Sequence, residues 1–85
     1  MYFRVLFDVF LAKLLQNLRN ALEASGSSIA KVVKTTCYLR DMSHFTRFNT
    51  VYAKTFTEKF PARTTVAVVG LPKDALVEIE VVATL

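Results

Sequence analysis

The last third of the chain, Pro61 to Ala83, most constrains the fold. Two runs of strand formers, Thr64-Thr-Val-Ala-Val-Val69 and Leu76-Val-Glu-Ile-Glu-Val-Val-Ala83, flank Gly70-Leu-Pro-Lys-Asp74. Arg63 opens the first run, and Glu78 and Glu80 sit inside the second. Charges within strands are solvated, paired, or used at a site. Two consecutive strands with a Pro-containing turn suggest a hairpin about Pro72-Lys73. In that register Arg63 stands opposite Val82, roughly 13 Å along the sheet from Glu78 at ~3.3 Å per residue. The arginine and the glutamate then meet through a ligand, across a subunit boundary, or not at all.

The rest of the chain supplies the scaffold. Residues 1–10 are rich in β-formers but do not alternate cleanly. From Leu11 the period is helical: Leu11, Leu14, Leu15, Leu18, Ala21 and Leu22 make one stripe. Gly26 suits a left-handed cap at its end. Ile29 to Arg40 reads as a strand, with Val33, Thr35, Cys37 and Leu39 on one face and Val32, Lys34, Thr36, Tyr38 and Arg40 on the other. Asp41-Met-Ser43 is a turn, with Ser43 as N-cap of a second helix reaching about Thr57. Phe45, Phe48, Tyr52 and Phe56 recur at helical spacing and face the sheet as core. Asn49 shares that stripe, and an amide there needs a partner. The order helix, strand, helix, strand, strand predicts an α+β domain with both helices on one sheet face.

Composition narrows the function. The net charge is +4, but the bases are scattered without interleaved aromatics, which favours ordinary solvated surface over a nucleic-acid patch. One cysteine allows no intrachain disulfide and suits a reducing compartment. Arg4, Asp8 and Lys13 interrupt the apolar N-terminus, so no membrane span is expected. The expected compartment is the cytoplasm, with the mitochondrion as the alternative. No Gly-rich phosphate loop, metal-ligand cluster or nucleophile–His pair is present, and no cofactor or metal is implied. Cys37 reads as a core thiol, His44 as a lone histidine at a helix start, Asp41 as a turn residue and Lys34 as a solvated strand lysine.

A set of short matches then accumulates along the chain. Val32-Val-Lys-Thr-Thr36, Leu39-Arg-Asp-Met42, Phe48-Asn49, Val51-Tyr52, Pro61-Ala-Arg-Thr-Thr-Val66, Leu71-Pro-Lys73 and Glu78-Ile-Glu80 together resemble the RidA/YjgF/UK114 family, in the family's order and near its spacing. The resemblance implies a chorismate-mutase-like fold and a homotrimer with clefts between subunits. It implies hydrolysis of reactive enamines and imines, such as 2-iminopropanoate and 2-iminobutanoate, to 2-oxo acids and ammonia. Ribonuclease and translation-inhibitor activities have also been ascribed to members. Arg63 matches the arginine that holds the substrate carboxylate, chemistry suited to a bidentate guanidinium. Glu78 matches the glutamate that positions water, and Asn49 a site asparagine. Thr65 stands where the family often has cysteine, and its backbone N–H remains as a substrate contact. Glu80 reads as structural.

The family begins with a β-hairpin that has no counterpart here. Residues 1–10 form a divergent segment and 11–85 the family-like domain, and Tyr2 is not equated with the family's cleft tyrosine. The alternative functional reading is a non-catalytic module that binds small carboxylates or partners. RNA cleavage is a third.

Overall fold

A computed structural model describes residues 2–85, with side chains described from Phe7 onward; Tyr2's side chain lies outside the described residues. Helix α1 spans Tyr2–Ala24 and strand β1 Val32–Leu39. Helix α2 spans Phe45–Tyr52, strand β2 Ala62–Ala67 and strand β3 Val77–Ala83. This is the α+β order the sequence predicts, with α1 reaching further toward the N-terminus than the clean periodicity does.

Gly26 ends α1 as the sequence suggests. It adopts φ 87°, and Ser27 N–H donates to Leu22 O at 2.9 Å while Gly26 N–H donates to Glu23 O at 3.1 Å. This 6→1 and 5→2 pair is the Schellman arrangement, which satisfies the helix's last carbonyls. The chain then tightens into a 3₁₀ turn at Ile29–Lys31 and enters β1.

The sheet order is β2-β1-β3. β1 runs parallel to β2, pairing Thr35 with Arg63 and Cys37 with Thr65. It runs antiparallel to β3, pairing Thr35 with Val81 and Tyr38 with Glu78. The expected β2–β3 hairpin is therefore absent: β1 lies between the two strands. Gly70 to Leu76 is not a hairpin turn but a bridge past the end of β1. Its 3₁₀ turn, Pro72–Asp74, holds Lys73 at φ 58° and Asp74 at φ 55°. Arg40 fastens it, donating from Nη1 to Asp74 O at 2.9 Å.

A second correction concerns the start of β1. The pairing steps from Val32↔Ala83 to Lys34↔Val82, so Val33 is an inserted residue. Such a bulge resets the alternation. Val32 turns into the core and Val33 out to solvent, the reverse of the simple alternation. Beyond the bulge, Thr35, Cys37 and Leu39 point inward and are fully buried.

The core lies between one sheet face and both helices. Phe7, Leu11 and Leu15 of α1 meet Phe48 and Tyr52 of α2, together with Phe56, Val32, Cys37, Leu39 and Val77. The helix stripe was legible, but α2 is shorter than expected, ending at Tyr52 with turns beyond it. Its start also differs. Asp41, not Ser43, caps the entry: its carboxylate accepts from the Ser43 backbone N–H at 2.9 Å within a 3₁₀ turn, Met42–His44. That bond holds the Asp41 carboxyl below the usual carboxylate range.

Candidate functional site

The sheet has two unlike faces. On the face away from the helices lie Lys34, Thr36 and Tyr38 of β1, Thr64 and Val66 of β2, and Glu78, Glu80 and Val82 of β3. This follows from the register and the alternation of burial. The outer edges of β2 and β3 have no strand neighbour among the described residues.

Arg63 belongs to the other face. It shares a row with the buried Thr35 and its side chain turns toward α2. Its Nη1 donates to Asn49 Oδ1 at 2.8 Å. Its guanidinium carbon lies 4.9 Å from the centre of the Tyr52 ring, 5.7 Å from Phe45 and 6.0 Å from Phe48. These separations are within the range in which a cation is attracted to an aromatic face. The aromatic stripe is core, as its spacing predicts, but its edge also carries a cation, which the sequence reading missed. The available signal was a tyrosine among phenylalanines, whose hydroxyl had to meet a partner.

That partner is Thr35, whose Oγ1 lies 2.9 Å from Tyr52 Oη. Burial pushes the Tyr52 hydroxyl up, with the Thr35 bond and Arg63 opposing. Cys37 lies one row further on the same face. Burial pushes its thiol up, against hydrogen bonding and the Arg63 charge. The thiol is inaccessible, as expected of a core cysteine. Thr65, its register partner, keeps Oγ1 buried without a well-formed hydrogen bond.

The predicted site residues therefore divide. Arg63, Asn49 and Thr65 share the helix-covered face beside the β2 edge. Glu78 lies on the open face of β3, two strands away. Glu80 shares that open face and accepts a long hydrogen bond from Tyr38 Oη at 3.4 Å. The Glu80 charge pushes the Tyr38 hydroxyl up. The His44 ring lies against Phe7, with ring centres 4.5 Å apart and planes tilted by 31°. A concavity of about 700 Å³ opens between α1 and α2, bounded by Asp8, Ala12, Thr46, Arg47, Thr50 and Lys54, and none of the predicted site residues lines it. Among the described residues no cluster of potential metal ligands occurs, and no helix is long and apolar enough to cross a membrane.

Chemically, Arg63 is an exposed guanidinium on the edge strand β2, with Nη1 tied to Asn49. Guanidinium geometry matches a carboxylate, and an aromatic floor with an amide stop restricts the side chain before any ligand arrives.

The chain is similar to known proteins over most of its length. The family model described as endoribonuclease L-PSP matches residues 8–85. The chain is 48% identical over 71 residues to Protein HMF1 of Saccharomyces cerevisiae, covering 84% of this chain and 55% of that one. It is 45% identical over 73 residues to the chloroplastic Reactive Intermediate Deaminase A of Arabidopsis thaliana, covering 86% and 39%. A crystal structure of an L-PSP protein from Entamoeba histolytica superposes with TM-score 0.86 at 49% identity, covering 88% of this chain and 60% of the other. The chain spans little more than half the length of the first curated relatives it matches.

Proposed function

Since the chain belongs to the endoribonuclease L-PSP family, which is the RidA/YjgF/UK114 family, we propose that it hydrolyses reactive 2-imino acids, with Arg63 as carboxylate anchor. One observation carries this reading: Arg63 lies at an open strand edge with its guanidinium already held by Asn49 and Tyr52. The Arabidopsis relative's name, a reactive intermediate deaminase, supports the same chemistry.

The substrate needs little activation. Water adds to the imine carbon and a proton reaches nitrogen, giving a carbinolamine. That species collapses to the 2-oxo acid and expels ammonia. The protein holds the carboxylate and orients water. Asn49 Oδ1 steadies Arg63, leaving its Nδ2 for the ligand, and the Thr65 backbone N–H completes the carboxylate's surroundings. Glu78 positions the water.

Glu78 and Arg63 of one chain project from opposite faces, so one substrate reaches both only where two copies meet. We therefore place the site between subunits of a homotrimer, with Glu78 supplied by a second copy. The bare edge of β2 and the open sheet face, which exposes Val66 and Val82, support this arrangement.

A PLP-dependent dehydratase can generate 2-iminobutanoate in situ, with 2-oxobutanoate release followed. Loss of the charge-assisted pair in Arg63→Ala is expected to lower kcat/KM about 10- to 100-fold. Equal rates for the two proteins would remove Arg63 from the reaction. Binding of 2-oxobutanoate at Arg63 without turnover would make the protein a carboxylate-binding module.

A further inference from the structure

We propose that Tyr52, fixed by Thr35, is the positioning residue for Arg63. The inference rests on the reading of Arg63 as a carboxylate anchor and names what makes it one.

An arginine on an exposed edge strand ordinarily samples many rotamers, and ordering it on ligand binding opposes affinity. Here the side chain has a floor. The guanidinium carbon is closer to Tyr52, at 4.9 Å, than to Phe45 or Phe48. Phe56 stacks on Tyr52 with ring centres 4.5 Å apart, and Phe48 leans on it at 5.5 Å. The ring is therefore wedged within the stripe.

What sets its height above the sheet is the hydroxyl. Tyr52 is 8% exposed and Thr35 fully buried, so neither oxygen has water as an alternative partner. Their 2.9 Å hydrogen bond satisfies both. Thr35 is also the register partner of Arg63. The contacts close a circuit. One rung of the β1–β2 ladder fixes Arg63 Cα beside Thr35, Thr35 fixes the Tyr52 ring, and the ring carries the guanidinium that began the circuit. Asn49, three residues before Tyr52 on α2, accepts from Arg63 Nη1 at 2.8 Å and ties one end of the guanidinium. A phenylalanine at position 52 fills the same space but deprives the buried Thr35 hydroxyl of this bond.

The expected consequence lies in carboxylate affinity more than in the chemical step. Tyr52→Phe and Thr35→Val each weaken 2-oxobutanoate binding about two- to five-fold, and Tyr52→Leu, which removes the ring, about ten-fold. KM for the imino acid rises in parallel while kcat moves less.

Two measurements decide the matter. The first needs no ligand: the Arg63 side-chain N–H and Hδ signals, assigned by their loss in Arg63→Ala, are followed by NMR. Ring-shifted positions in the wild type should move toward free-arginine values in Tyr52→Leu and shift partly in Thr35→Val. Unchanged Arg63 signals in a folded Tyr52→Leu protein would overturn the inference, whatever the fate of the deaminase reading. Should Tyr52→Leu not fold, Thr35→Val and Tyr52→Phe carry the same comparison. The second is a double-mutant cycle on 2-oxobutanoate affinity. Tyr52→Phe should have no further effect in an Arg63→Ala background. An equal loss in both backgrounds would mark Tyr52 as merely structural and overturn the inference. A wild type that neither binds 2-oxobutanoate nor deaminates defeats the deaminase reading, and the Arg63 signals then decide the inference alone.

Discussion

Arg63 and Glu78 project from opposite faces of one sheet. Arg63 shares a row with Thr35 and Val81, whereas Glu78 shares one with Tyr38, three residues along and two strands across from Arg63. Their Cα atoms are roughly 14 Å apart at ~4.8 Å per strand and ~3.3 Å per residue. Separation alone could be bridged by a ligand; a sheet between the side chains cannot. The hairpin register gave a similar separation but missed the difference in face.

The first prediction follows from that geometry. Arg63→Ala is expected to keep about 1–10 % of wild-type imine hydrolysis, and Glu78→Gln to be similarly impaired. Mixed, dissociated and reassembled in equal amounts, they should recover roughly a quarter of wild-type activity, because random pairing supplies an intact Arg63 and an intact Glu78 to that share of interfaces. No recovery in a mixture shown to exchange subunits would rule out a shared site.

Glu80 provides the contrast. It shares Glu78's face but is engaged with Tyr38. Glu80→Gln should leave turnover within about two-fold of wild type, while the Tyr38 hydroxyl, relieved of the neighbouring charge, titrates at lower pH. Tyrosinate absorbance, with Tyr38→Phe as the reference, measures the second effect. A turnover loss in Glu80→Gln matching that of Glu78→Gln would reverse the two assignments.

Cys37 should react with thiol reagents only as fast as the domain opens. It is fully buried, and its folded pKa is raised chiefly by burial. The neutral thiol is thus favoured in the fold. Its contribution is whole below the unfolded pKa and is lost as pH rises through the folded value, so destabilisation is expected on the alkaline side. Labelling rates that ignore added urea would contradict this placement.

Asp41 behaves in the opposite sense. Its folded pKa is lowered by the Ser43 N–H, so its cap stabilises above the unfolded pKa and fails as pH falls through the folded one. Asp41→Ala should melt below the wild type at neutral pH, with the gap closing in acid. Melting curves across that range test it, and a gap independent of pH would assign the loss to something other than the carboxylate.

Phe48 tests the core. It is fully buried between the helices and the sheet, and Phe→Ala at such a position costs about 3–5 kcal/mol. In a domain this small that approaches the whole stability. Circular dichroism should show either no cooperative transition or a midpoint lower by ~15 °C or more.

Several features were legible because local rules decide them. The Leu11–Leu22 stripe, the Gly26 cap and the Phe45–Tyr52 spacing depend on helix period and backbone sterics. The inward faces of Thr35, Cys37 and Leu39 depend on strand alternation. Those properties reside in neighbouring residues, so the sequence by itself determined the α+β order, while the family resemblance carried by its motifs nominated Arg63, Asn49, Thr65 and Glu78. Strand partnership is a different matter. Adjacent strands β2 and β3 are compatible with a hairpin, and only packing α2 over the sheet puts β1 between them. The bulge at Val33 likewise depends on the partner strand. Tertiary structure alone decided that Glu78 faces away from Arg63, and that Thr35, Tyr52 and Arg63, far apart in sequence, close into one circuit. Side-chain rotamers and cross-strand rows are set by neighbours the chain supplies only after it has folded.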